Sequence, residues 1–482
     1  MKRKFLVYLF LTVAVSFSSC RKYLAELDVD PYQPQTALPG KYLPQILYAM
    51  MEGETFDQRF VGQYCQHWAS TAINNNYDRH GSRITAGNTT AVAQRWRNHY
   101  WTIGSNTNQM IIQAERNKLN GYLGIGDAIH AWSWEVTTDA FGEMGFTTAW
   151  DNTLTKYPYD HQRVIYQGIQ DLADQALTNL DKKTGADDPD IATADRMYGG
   201  DLSKWKKFVY AVKARLEIHK SNKPSFNPDK VIEYVDKSFS SNADIPFVTF
   251  NATDGNTDAF WGPTRANLGS SRPTKFTMSL LNGTVFNGII DPRLSAMFNS
   301  DKGITPTLGN VEGAPTLYGK YFFKDNAAYP LMSYAEMQFI KAEAAFKKGD
   351  KTMAFDAFEK GITAHMQYAG VPAADITTYL TSAALPQSDA TLELKHIMMQ
   401  KYIALYAIPE AWSDLRRYNY SNTIYTGFTL PSLLTQNAGK TVQRCAATQF
   451  SEYDWNLETV IANGGTAADY HTKPLWVFTN EE

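Results

Sequence analysis

The stretch from Leu331 to Tyr368, LMSYAEMQFIKAEAAFKKGDKTMAFDAFEKGITAHMQY, constrains the fold more than any other part of the chain. Ser333 and Glu336 stand in S-x-x-E spacing, in which a Ser N-cap and a Glu at N3 satisfy two otherwise orphaned amides. Met332 and Met337 occupy the N′ and N4 positions of the accompanying hydrophobic staple. Ala335, Phe339, Ala342 and Phe346 follow at helical spacing and make one apolar face. Lys347 and Lys348 suit the negative end of the helix dipole, and Gly349 supplies a left-handed residue at C′. Asp350 then caps a second helix whose Ala354, Phe358, Gly361, Ile362 and His365 face one way. So short a turn between two amphipathic helices predicts an antiparallel hairpin.

The pair has about the length of a tetratricopeptide repeat, and Ala342, Ala345, Ala354 and Gly361 are small where close helix contact requires it. The Trp and Leu of that repeat's first helix are absent, so the match is partial. A lone helix pair cannot bury its apolar face, and other helices must stack on it. Helical patterns do recur, at about 40–52, 56–72, 91–119 and 121–141, from Asp160 to Leu180, at 195–222 across a Gly-Gly break, and at 389–419. Between Asn242 and Pro330 the period is lost and Gly, Pro, Asn and Thr are dense. The fold class expected is mainly α, a tetratricopeptide-like helical scaffold carrying a large irregular half, with a further irregular tail to Glu482.

Residues 1–20, MKRKFLVYLFLTVAVSFSSC, join a three-charge start to an apolar run from Phe5 to Phe17. That run is too short for a membrane-spanning helix but fits a secretory h-region. Ser-Ser before Cys20 resembles a bacterial lipoprotein box, which makes residues 1–19 a signal peptide and Cys20 the lipidated first mature residue. The alternative is ordinary secretion with Cys20 incidental. Residues 20–38, with Pro31 and Pro34, read as a tether, and 39–482 as a single domain. Net charge is −3 without a basic face or Arg-rich run, which argues against nucleic acid. Cys65 and Cys445 could pair in an oxidising compartment or stay as buried thiols; spacing does not decide between them.

A set of motifs, in order, carries a family resemblance: the lipobox, DPYQPQTALP, TDAFGEMGF, DRMYGGDLSKWKKF, DPRL, YAEMQFIKAEAAFKKGD and EAWSDLRRYNY. Together they resemble the SusD/RagB family, SusD-like subgroup, of nutrient-binding outer-membrane lipoproteins of Bacteroidetes, over essentially the whole chain. The resemblance implies a helical body whose irregular half holds the ligand site. It also implies a SusC-like TonB-dependent transporter as partner, a glycan or, in some members, a peptide as ligand, and a lipid-anchored place at the outer membrane. Ligand residues vary in the family, so none is carried over by motif.

The residues themselves exclude most chemistries. Gly439–Thr441 reads GKT, but Leu434 stands where a phosphate loop needs its first glycine. The glycines of GYLGIGD are wrongly spaced for a dinucleotide turn, and neither H-E-x-x-H nor G-x-S-x-G occurs. Glu135, Asp139 and Glu143 share a helix face, yet a glycosidase needs two carboxylates roughly 5 to 10 Å apart across a sugar, and a polar face between helices is the simpler reading. Asp187, Asp188, Asp190 and Asp195 lack the glycine and bidentate Glu of a calcium loop. Trp412, Arg416 and Arg417 read as a structural tryptophan with ion-paired arginines. No catalytic residue, metal or cofactor is expected.

A binding protein for sugars needs aromatic faces for their C–H surfaces and polar side chains for their hydroxyls. With eleven Trp, 28 Tyr and 25 Phe, the chain has rings to spare beyond a core. Two stretches interleave rings with polar groups: NNNYDRHGSR, offering Tyr77, Asp78 and Arg79, and NATDGNTDAFWGPTRANLG, offering Trp261 and Arg265. Tyr318 and Tyr321 follow. The rival readings are an enzyme on a helical scaffold, which needs converging carboxylates or histidines in a cleft, and a helical-repeat scaffold without a small ligand.

Overall fold

The structure, a computed structural model, describes residues 37–81, 93–182, 190–248, 268–324, 327–434, 437 and 439–482. Its frame is a run of helices: α1 (Leu43–Tyr64), α2 (Ala93–Arg97), α3 (Asn106–Asn117), α4 (Asn120–Phe141), α5 (Gln162–Asp181), α6 (Leu202–His219), α7 (Pro228–Lys237), α8 (Tyr334–Lys348), α9 (Lys351–Tyr368), α10 (Leu394–Ala404) and α11 (Glu410–Arg417). From α3 to α9 each helix packs on the next in sequence, and α10 returns to cover α8. One apolar cluster runs through the stack from Leu43 to Phe478. No helix of the described residues is long and apolar enough to cross a membrane.

The α8/α9 hairpin forms as the sequence reads. Ser333 Oγ accepts the Glu336 amide at 3.0 Å, Gly349 takes φ of 90°, and Asp350 accepts from the Met353 amide. Glu336 does not complete the capping box, because its carboxylate pairs instead with Arg215 of α6 at 2.5 and 2.9 Å. Phe339 is fully buried, and its ring lies over Gly361, where a Cβ would meet ring carbons at 2.9–3.0 Å. Glycine there is a contact requirement, not a break.

The same logic corrects other boundaries. The two helices expected at 40–52 and 56–72 are one, since Gly53 admits the Asn98 side chain against α1 without ending it. The single helix expected at 91–119 instead passes through a π-helical stretch at Asn98–Ser105. The helix after Gly199 and Gly200 starts at Leu202, with Asp201 accepting the amides of Ser203 and Lys204. The helix expected from Asp160 begins at Gln162 with His161 as its cap, and the Asp160 carboxylate accepts the amides of Phe146 and Thr147 instead. The 389–419 helix is broken between Ala404 and Glu410.

The irregular half is pinned to this frame by few, buried links. Strand β1 (Trp68–Ser70), just after α1, pairs antiparallel with β2 (Ser271–Pro273), Ala69 facing Arg272. Within DPRL, Arg293 is fully buried, bonds Asp291 at 2.5 Å and Gln400 of α10 at 2.5 Å, and meets His365 of α9. Single-turn helices at Lys275–Ser279 and Arg293–Met297 are too short to show a period in sequence.

Charges meet inside the stack. Arg417 pairs with Glu343 and Asp414, Lys401 joins Asp414, and Arg416 stacks on Trp412 at 3.7 Å while bonding backbone carbonyls of Asp139 and Gln443. Only Arg417 of the two arginines is ion-paired among the described residues. Glu135 and Asp139 are buried, and Glu143 lies beyond them, paired with Arg444 at 2.6 Å. Asp190 accepts from the Tyr122 hydroxyl, Asp195 from the Trp205 indole and three local amides, and Asp187 and Asp188 lie outside the described residues. Cys65 and Cys445 are buried free thiols, which settles the alternative left open by their spacing.

Candidate functional site

A groove of about 960 Å³ opens between the C-terminal half of α1, α2 with its π-helical extension, the loop before α5, and residues 448–452. Its volume lies at the upper end of the range typical of small-ligand sites, roughly 300–1,000 Å³. Phe56, Arg59 and Phe60 reach it from α1 at i, i+3 and i+4, one helix face. Trp96, Arg97, Tyr100 and Trp101 come from the next segment, Trp150, Asn152, Tyr157 and Tyr159 from the loop, and Glu452 from the far wall.

The π-helical stretch explains how so many rings reach one place. In a regular α-helix Trp101 would point about 100° away from Tyr100, off the face that Trp96 and Tyr100 share; the wider turn of the π-helical stretch re-aims it, a device common at functional sites. Trp101 is left 71 % exposed, while Trp96 behind it packs edge-on to Phe141 at 4.8 Å. Trp150 comes from the loop before α5 and packs onto the same segment. It adopts φ of 60°, a region a bulky residue enters only when its surroundings hold it. Its indole N–H donates to the Tyr100 carbonyl at 2.8 Å, and its ring covers Gly104, where a Cβ would come within 2.1 Å of it. His99 and Trp134 back it, their rings 6.0 and 5.8 Å from its own and edge-on to each other at 4.1 Å.

The polar groups differ in how far they are already engaged. Asp57 is buried, accepts the Arg95 amide at 2.6 Å, and is pushed up to about 7 by burial against that bond. Glu452 accepts from the Tyr159 hydroxyl at 2.7 Å and from Asn456 at 2.9 Å. Arg59 lies over the Phe56 and Phe60 rings at 4.1 and 4.5 Å, and its buried Nε has no hydrogen-bond partner. An arrangement of rings beside guanidinium donors suits a ligand with apolar faces and many acceptors.

The residues expected from sequence fall elsewhere. Tyr77 is half-buried, with its ring 4.4 Å from that of Phe60, so it supports the groove from behind. Asp78 is 1 % exposed, accepts the Ser70 amide at 3.0 Å, and is pushed up to about 7 by burial against the Ser70 and Thr307 amides. Arg79 donates Nε–H to the Ser432 carbonyl at 3.1 Å. Tyr318 is exposed on a separate turn. Tyr321 is buried, with its hydroxyl 2.9 Å from His365 Nε2. Asp78 and Tyr321 therefore brace their loops here and do not face a ligand. Trp261, Arg265 and the lipidation candidate Cys20 lie outside the described residues. The groove is not among the sequence expectations, although Trp101, next to a face already filled by Trp96, His99 and Tyr100, is the ring an α-helical period leaves unplaced.

Glu135, Asp139 and His219 converge in the interior closely enough to suggest a metal site. Both nitrogens of His219 are already committed, Nδ1 to Asp139 at 2.9 Å and Nε2 to Glu410 at 2.6 Å, and Arg215 stands 3.8 Å from Glu135. Burial alone lowers the imidazole, but Glu410 and Asp139 outweigh it and raise His219 to about 10. The cluster is an imidazolium between carboxylates, and the cation it holds is its own.

Residues 31–444 match the sequence model of a family described as starch-binding and associating with the outer membrane. The fold is similar to a SusD/RagB family protein from Bacteroides thetaiotaomicron, at 22 % identity and a TM-score of 0.72, covering 93 % of this chain and 100 % of that one. A chitin-binding SusD homologue from Flavobacterium johnsoniae is similar at 18 % identity and TM-score 0.71, over 92 % and 98 % of the chains. A SusD homologue from Bacteroides fragilis shares 19 % identity at TM-score 0.68, over 92 % and 100 %. No curated protein sequence matches significantly.

Proposed function

The chain belongs to the SusD-like family, and from that premise we propose that it captures an oligosaccharide in the aromatic groove and hands it to a SusC-like TonB-dependent transporter, without catalysis. The observation that carries this reading is the groove, whose lining joins one large exposed indole, Trp101, to Trp150, Tyr100 and several polar side chains. Pyranose rings present C–H faces to such indoles and hydroxyls to the groups beside them. The family description as starch-binding, and the chitin-binding homologue of like fold, both support a glycan as ligand. The outer membrane is the proposed location, with Cys20 as lipid anchor.

Binding without hydrolysis fits the state of the two carboxyls lining the groove. Asp57 is buried and bonded, and Glu452 is held by Tyr159 and Asn456, so neither stands ready as the acid or nucleophile of a glycosidase. Arg79 and Tyr318 remain proposed secondary contacts on other segments, as do Trp261 and Arg265, which lie outside the described residues.

Screening the protein on a glycan array, beside its Trp101→Ala variant, tests the reading. The expected result is selective capture of one glycan class that the variant loses. Capture by neither protein, or equal capture by both, contradicts it.

A further inference from the structure

Resting on the glycan reading, we propose that the ligand is an acidic oligosaccharide, bearing carboxylate or sulfate groups, and that Arg59 and Arg97 are the residues that read that charge. The two guanidiniums line the same groove. Among the described residues neither forms an ion pair, and the Arg97 side chain makes no hydrogen bond. Arg59 is fixed by stacking over Phe56 and Phe60, so its fork is oriented before any ligand arrives. Its Nε is shut off from water and has no acceptor, a cost normally avoided by supplying a partner. Among the described residues the Nε of Arg95, Arg272 and Arg417 are likewise without an acceptor. What sets Arg59 apart from Arg215, Arg293 and Arg417 is the missing counter-ion, since those three are ion-paired with Glu336, Asp291 and Glu343.

The anionic groups of the groove do not fill that role. Glu452 is committed to Tyr159 and Asn456, and Asp57 to the Arg95 amide. Burial weakens Arg59's hold on its own proton, which Asp57 offsets only in part because burial pushes that carboxyl up to about 7; an anion at the arginine would complete the compensation. A neutral glucan offers only hydroxyls, which leave the positive field uncompensated. A carboxylate or sulfate accepts two parallel N–H bonds from a planar guanidinium, and such charge-assisted pairs are the strong ones. The aromatic walls then supply the stacking common to any sugar, and the arginines supply the choice among sugars.

The test is an array of uronate-containing, sulfated and neutral oligosaccharides probed with the full chain, followed by calorimetric titration of the best hit. The expected hit is acidic, and its affinity falls with added salt. Arg59→Gln and Arg97→Gln should each weaken it about ten- to a hundredfold, the range for a hydrogen bond to a charged group. Arg97 is exposed, so its variant keeps the fold even where Arg59→Gln does not. Arg59→Lys should recover only part of the affinity, since an ammonium keeps the charge but not the stacked fork. A neutral glycan as best hit, bound equally by both glutamine variants, overturns the acidic assignment while leaving the glycan reading intact. Failure of a folded protein to bind any glycan contradicts both.

Discussion

Trp101 and Trp150 face the same groove but answer to different physics. Trp101 is mostly in water, so Trp101→Ala should change stability by no more than about 0.5 kcal/mol. As a binding anchor it should cost about 2 kcal/mol or more of affinity; thermal melts and calorimetry check the pair. His219 belongs to the interior. Its folded proton affinity, raised to about 10, exceeds the ordinary imidazole value of about 6.5, so its stabilising pairing with Glu410 and Asp139 is complete below 6.5. That contribution is lost as pH climbs from 6.5 through 10. Replacing it, as in His219→Gln, should cost roughly 3–5 kcal/mol near pH 6 by orphaning buried carboxylates. The variant's melting temperature should then fall less steeply between pH 7 and 10 than the native protein's. Parallel curves for the two proteins would show that the imidazolium is not the titrating group.

At the scale of elements, the α8/α9 hairpin was the most legible part of the chain, because caps, turn and apolar stripe all agree locally. Phe339→Ala should destabilise by roughly 3–5 kcal/mol, through lost burial and the cavity left over Gly361. Gly361→Ala, which presses a methyl into the Phe339 ring, should cost roughly 1–3 kcal/mol. Urea unfolding of both variants measures these losses. What escaped sequence reading was set by contacts between distant elements. Glu336 leaves its cap for Arg215, Gly53 makes room for Asn98, and Asp160 serves the loop before α5. The groove escaped for a related reason. Trp101 joins the side of Trp96 and Tyr100 only because a π-helical stretch reshapes the spacing, and Trp150 joins them from a residue in left-handed conformation. Neither departure leaves a period to read, and a loop such as NNNYDRHGSR, rich in rings and polar groups, drew attention instead. Its Asp78 proves to be a buried brace.

For the whole molecule, the helical stack was foreseeable from one hairpin that could not stand alone, and the ordered motifs pointed to the family that the comparisons identify. Acylation at Cys20 is the proposed tie to the membrane. Cys20→Ala should move the protein from the detergent-rich to the aqueous phase in detergent partitioning, and mass spectrometry should find residues 1–19 removed from the native protein; a variant still in the detergent phase would reject the anchor. The central claim is a division of labour, in which the stack carries stability and the aromatic groove carries ligand. Its most direct test is calorimetric titration of the array-selected oligosaccharide into native protein, Trp101→Ala and Phe339→Ala, each melted in parallel. The account predicts opposite losses: affinity without stability for Trp101→Ala, stability without affinity in the folded fraction of Phe339→Ala. Unchanged affinity in a folded Trp101→Ala protein would contradict it.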